Sequence, residues 1–141
     1  MVKFTANLYW VTCTLAGKAR RGYLPHGVNL LTAEPKFPQV RKAVYIVVDR
    51  TGCVAYVGKV CRPIDITAVE SRLVEHVEEV AKARTWAKLY AIPLKADTPD
   101  LVVEYIEGLV GERLEPYQNK RLPNVARLAA TVEALVADAM V

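Results

Sequence analysis

The feature that most constrains this chain is residues 43–58, AVYIVVDRTGCVAYVG. Two short apolar runs, 44–48 and 54–57, flank the turn sequence Asp49-Arg50-Thr51-Gly52. Both runs are rich in β-branched and aromatic residues, and a Gly-ended turn between such runs predicts a β-hairpin. Each run carries one tyrosine, Tyr45 and Tyr56, eleven positions apart. A pair of amphipathic aromatics on a hairpin is, by itself, a packing feature. Its meaning depends on what the rest of the chain supplies.

At 141 residues the chain has the length of one domain with a sizeable core. No apolar run approaches the length of a bilayer span. The N-terminal stretch MVKFTANLYWVTCTLAG is interrupted by Thr5, Asn7, Thr12 and Thr14, which argues against a secretory signal. Cys13, Cys53 and Cys61 lack paired spacing, so they read as thiols of a cytoplasmic protein and not as a disulfide framework. With two scattered histidines they do not form a zinc site either. The net charge of +4 is unevenly spread. Residues 1–43 hold seven basic residues against one acid, Glu34, a net +6 that leaves −2 for the remainder. A basic N-terminal third suits a phosphate backbone, or is simply a solvated surface.

Taken in order, residues 3–15 alternate apolar residues with threonines and predict a strand. Residues 17–22 form a basic loop bounded by glycines, and 23–31 read as a short strand or as irregular chain. Pro35 and Pro38 break the segment before the hairpin. After a loop at 61–65, Thr67 and Glu70 form a capping box for a helix reaching about Arg84, with Val69, Leu73, Val77 and Val80 on one face. Residues 86–94 predict a third strand. Thr98 as cap and Pro99 in the first turn open a second helix, with Val102, Ile106, Leu109 and Val110 as its stripe. Asn124 caps a last helix bearing Val125, Leu128, Val132, Leu135 and Val136. The expected fold is α+β, a small antiparallel sheet of three central strands, open to extension by an N-terminal strand, flanked by helices. The chain reads as a single domain, with 1–41 a basic elaboration, 122–141 the C-terminal helix, and the candidate site residues all within 42–120.

Arg72 and His76 lie four apart, so they share a helix face. Glu107 is followed by Gly108 and Gly111. Two helical glycines cost about 1 kcal/mol each against alanine, so something must approach closely, either a packed helix or a site. Together these residues suit phosphodiester hydrolysis. Magnesium takes oxygen ligands and keeps most of its waters, so one carboxylate can suffice. A guanidinium matches the charge developing on phosphate oxygens. A tyrosine acting as proton acceptor must ionise, which costs about 4 kcal/mol at pH 7 from a reference pKa of about 10. Lys59, Arg72 or a metal would have to offset that cost.

The order of these residues resembles the GIY-YIG nuclease superfamily, which includes the nuclease subunit of nucleotide excision repair. Ala43-Val44-Tyr45 and Tyr56-Val57-Gly58 stand where the two name motifs stand, with Ala43 replacing the first glycine. Arg72 and His76 match the helical arginine and histidine, Glu107 the helical glutamate, and Pro116-Tyr117-Gln118-Asn119 the Pro-x-x-Asn. Glu104 is a rival for the glutamate. The resemblance implies a metal-dependent endonuclease acting on DNA with Mg2+ or Mn2+. It implies that Tyr45 is general base or water-positioning group and that Tyr56 orients nucleophile and phosphate. Arg72 would stabilise the transition state, His76 assist proton transfer or contact phosphate, and Glu107 bind the metal. Gly58, Lys59 and Asn119 would lie at the substrate, Asn119 as a brace. Two other readings stand beside this one: an inactive nucleic-acid-binding module on the same fold, and a protein-interaction domain that docks through its last helix. DNA against RNA, and the oligomeric state, stay open.

Overall fold

The computed structural model describes residues 1–61 and 84–139, the side chains of 134–139 excepted. Its centre is the expected hairpin, longer than the apolar runs alone suggest: β2 (Lys42–Asp49) and β3 (Val54–Cys61). They pair antiparallel with Tyr45 opposite Gly58 and Val47 opposite Tyr56. The predicted third strand is present as β4 (Trp86–Leu94), antiparallel to β2. A two-residue strand, β1 (Val28–Asn29), pairs with the far side of β4, giving a four-stranded order β1-β4-β2-β3. All eight residues of β2 are buried, as a central strand covered on both faces requires.

Residues 3–15 are not a strand. Apart from a single bridge from Lys3 to Cys53, the segment forms helix α1 (Ala6–Thr14). The Thr5 hydroxyl caps it by accepting the Leu8 amide at 3.1 Å. Tyr9, Thr12, Cys13 and Ala16 are buried, which is a helical period overlaid on β-prone residue types. Thr12 satisfies its hydroxyl on the Leu8 and Tyr9 carbonyls at 3.0 and 2.8 Å, so its burial leaves no lone polar group. The strand that extends the sheet comes instead from the 23–31 segment.

Two helices follow β4: α2 (Asp100–Leu114) and α3 (Val125–Ala139). Val102, Val103, Ile106, Val110 and Leu114 of α2 join Tyr9 and Cys13 of α1 on the sheet face made by Val44, Ile46, Val57 and Ile92. The opposite face, with Ala43, Tyr45, Val47, Leu89 and Ala91, is covered in part by Leu24, Leu30 and Phe37. The N-terminal elaboration is therefore part of the core's cover. Helix α2 begins one residue after Pro99, and Thr98 does not cap it: its buried hydroxyl finds no hydrogen-bond partner among the described residues. The Thr98 carbonyl instead accepts from the buried amine of Lys42. Asn124 does cap α3, accepting the Arg127 amide at 3.0 Å. Gly108 and Gly111 are explained by packing. A Cβ at Gly108 would meet Val125 at 2.8 Å, and one at Gly111 would meet Leu122 at 2.6 Å. The helix predicted from Thr67 to about Arg84 falls on residues 67–83, which lie outside the described residues.

The hairpin turn is held by one carboxylate. Asp49 Oδ1 accepts the Thr51 amide at 2.9 Å, the Thr51 hydroxyl at 2.7 Å and the Cys53 amide at 3.0 Å. Its Oδ2 accepts the Tyr117 hydroxyl at 2.7 Å. Burial alone would raise the Asp49 pKa, but these donors outweigh it and hold the carboxyl at about 2. A depressed carboxyl pKa contributes stability that is present above the unfolded value and lost as pH falls through the folded one. Tyr117→Phe is therefore expected to destabilise the fold by about 1 kcal/mol at pH 7. It should also flatten the loss of stability between about pH 4 and pH 2. Urea unfolding across that range checks both.

Candidate functional site

β3 is the sheet's outer strand, and most of the described candidate residues lie on it or against it. Tyr45, from the neighbouring β2, is 1% exposed, and its ring stacks on Tyr56 with centroids 6.1 Å and planes 27° apart. Tyr56 is half-buried and packs in turn on Trp86 at 5.7 Å. Register puts Gly58 directly opposite Tyr45. A Cβ at Gly58 would fall inside the contact distance of the Tyr45 Oη and Cζ, and 2.8 Å from its Cε1. The tyrosine thus lies across the strand at the one place where no side chain obstructs it. Glycine is required there for close approach.

The Pro-x-x-Asn segment is a strap along the outside of β3. The Gln118 amide donates to the Ala55 carbonyl at 2.9 Å. Asn119 makes a two-way contact with Val57, accepting its amide at 2.9 Å and donating to its carbonyl at 2.8 Å. The Gln118 side chain accepts the Trp86 indole N–H at 2.9 Å and donates to the Thr85 hydroxyl at 3.0 Å. Tyr117 anchors the start of the strap on Asp49. Sequence reasoning singled out Asn119 and missed Tyr117 and Gln118. Their signal was position alone, inside a motif whose ends were recognised.

On the other side of the strand, Lys59 forms an ion pair of 4.0 Å with Glu104 of α2, both about one-third exposed. Glu107 is half-buried one turn further along α2, an i+3 neighbour of Glu104. Tyr45 belongs to one layer of the sheet and the buried stripe of α2 to the other, so β3 runs between the tyrosines and the glutamates. Tyr45, Tyr56 and Gly58 are brought together. Lys59 and Glu104 are brought together. Asn119 sits on the same strand at Val57. Arg72 and His76 lie outside the described residues.

Among the described residues, no three His, Cys, Asp or Glu side chains gather as a metal cluster. The donor set that α2 offers is carboxylate oxygen, the type a hard divalent cation takes, with water completing its shell. Among the described residues no helix is long and apolar enough to cross a membrane. Comparison with protein-family models, with curated proteins and with solved structures gives no match.

Gly58→Ala tests the close approach. The added methyl must displace a buried ring that Tyr56 already holds, and overpacking of this kind costs about 1–3 kcal/mol. The variant is expected to unfold at lower urea by that amount. The double variant Gly58→Ala/Tyr45→Ala should show no further cost from the methyl group, a non-additivity read directly from the double-mutant cycle.

Proposed function

We propose that the chain is a metal-dependent endonuclease of GIY-YIG type that hydrolyses phosphodiester bonds in DNA. The observation that carries this reading is the tyrosine pair on the edge hairpin, with Tyr45 stacked on Tyr56 and laid across Gly58. The resemblance of the sequence motifs to that superfamily supplies the roles, and the reacting phosphate would lie at the rim of β3.

In this reading Tyr45 positions the attacking water or accepts its proton, and Tyr56 orients the nucleophile and the phosphate. The stack and the glycine below it fix where the Tyr45 ring can be, which lowers the entropy cost of alignment. Arg72 balances charge on the phosphate oxygens, and His76 assists proton transfer or contacts the phosphate. Lys59, tied to Glu104 by an ion pair, brings a further cation to the same strand. Asn119 braces the strand through the Val57 backbone. Glu107 would hold Mg2+ or Mn2+, and the bound ion would supply Lewis acidity toward the phosphate.

The burial of Tyr45, 1% exposed, favours a second reading in which the tyrosine pair is core packing and the domain binds nucleic acid without cutting it. Incubating wild type, Glu107→Ala and Glu104→Ala with supercoiled plasmid and branched DNA separates the two. The nuclease reading predicts cleavage that needs Mg2+ or Mn2+ and stops with chelator. Glu107→Ala should lower it by about 100-fold or more, since even the outer partners of a metal ligand are worth about 10- to 100-fold. Glu104→Ala, which breaks only a part-exposed ion pair, should still cut. Salt-sensitive binding without cleavage of either substrate would favour the second reading.

A further inference from the structure

The N-terminal helix carries a feature that the proposed nuclease site does not use. Trp10, on α1, is 49% exposed, and Tyr23, from the loop that follows, is 41% exposed. The two rings meet edge to face at 5.1 Å and 83°. Tyr23 also packs on the buried Tyr9 at 5.3 Å, so the pair is backed by core. Tyr9 is itself fixed, donating its hydroxyl to the Ala91 carbonyl at 2.6 Å and accepting the Leu24 amide at 3.1 Å. The Arg20 guanidinium lies 5.2 Å from the centre of the Trp10 ring. Lys18 and Arg21 beside it are exposed, and α1 itself contains no charged residue.

Exposed aromatics are costly on a free surface, and a rigid pair surrounded by cations with no acid in the first 33 residues selects a particular partner. Bases stack on aromatic rings while phosphates follow the basic groups, and only an unpaired strand offers its base faces freely. An acidic protein would also meet the cations, and Trp, Tyr and Arg are common anchors of protein interfaces, but five aromatic and basic side chains with no acid among them match a polyanion that offers stackable faces. A membrane surface would favour a continuous apolar face, whereas Asn7 and Thr14 are exposed on α1 alongside Trp10 and Val11.

We propose that Trp10 and Tyr23, with Lys18, Arg20 and Arg21, form a binding platform for single-stranded nucleic acid, separate from the hairpin site. The nuclease reading makes such a substrate expected, but the platform stands on its own geometry.

The experiment is a fluorescence titration of the wild-type chain, with chelator present, by a dT20 strand, a U20 strand and a 20-base-pair duplex. The chain has two tryptophans, and Trp86 is buried, so emission from the exposed Trp10 reports the platform. The expected result is quenching of the red-shifted Trp10 emission by one or both single strands, tighter than by duplex. The two single-strand arms identify whether DNA or RNA is the source. Tyr23→Ala should weaken single-strand binding by about 5- to 150-fold, the range for loss of one stacking contact. Arg21→Gln, at an exposed position, should lower the salt slope by about 0.7 with little effect on folding. Binding is read with chelator present, where the nuclease reading allows no cleavage, so failure of that reading and failure of the platform are distinguishable. Equal or tighter binding of duplex, binding without Trp10 quenching, or no binding at low salt would overturn the proposal.

Discussion

An outer β-strand exposes a row of backbone N–H and C=O groups, and this fold depends on how β3 has that row satisfied. Residues 117–119 lie along it: Gln118 takes the Ala55 carbonyl and Asn119 takes both polar groups of Val57. Leaving such groups unpaired costs free energy and invites pairing with another chain. The same strap reaches the hairpin turn through Tyr117 and Asp49, and Trp86 of β4 through Gln118. Three strands and the exit from α2 are thus joined by one short segment. The tyrosine pair sits on the hairpin that this segment holds.

The second constraint is the space above Gly58. Because β2 is buried on both faces, its odd-numbered side chains must share the layer with Leu89, Ala91 and Val60. Tyr45 fits only by lying over the strand next to it, where glycine leaves room, and by stacking on Tyr56. A phenol so confined has few rotamers to lose when a substrate arrives, which is the physical attraction of placing a proton acceptor or water-positioning group there. On the opposite layer α2 brings Glu104 to Lys59 of the same strand, with Glu107 one turn further along the helix. Among the described residues the proposed groups therefore flank an outer strand, an arrangement that suits a long, thin polymer as substrate.

The hairpin was legible because its signal is local: β-branched runs, a turn ending in glycine, and no competing helical period. The third strand and the last two helices were legible for the same reason, down to the Asn124 cap. Residues 3–15 misled because threonines and aromatics favour strands, while the helical period of Tyr9, Thr12, Cys13 and Ala16 was carried by mixed residue types. Thr98 looked like a cap, but the helix starts one residue later, and Thr98 gives its carbonyl to the Lys42 amine while its hydroxyl caps nothing. The two glycines of α2 offered packing and a site as alternatives, and Leu122 and Val125 settle it as packing. Of the candidate residues, Tyr45, Tyr56 and Gly58 were singled out through the family resemblance, and the structure brings the three side by side on the hairpin. The role of Tyr117 and Gln118 was invisible, since a side chain that reaches over to a distant turn leaves no periodic trace.

In the proposed mechanism the Tyr45 hydroxyl acts on a phosphodiester while its ring serves the fold. The most direct measurement is single-turnover DNA cleavage by Tyr45→Phe against wild type in Mg2+ or Mn2+, alongside urea unfolding of both. The ring that stacks on Tyr56 is retained, so the variant should fold and bind DNA. Cleavage should fall by about 100-fold or more, the usual worth of a positioned proton-transfer group. Wild-type cleavage that survives unchanged in Tyr45→Phe would contradict the account and leave the tyrosine as packing alone.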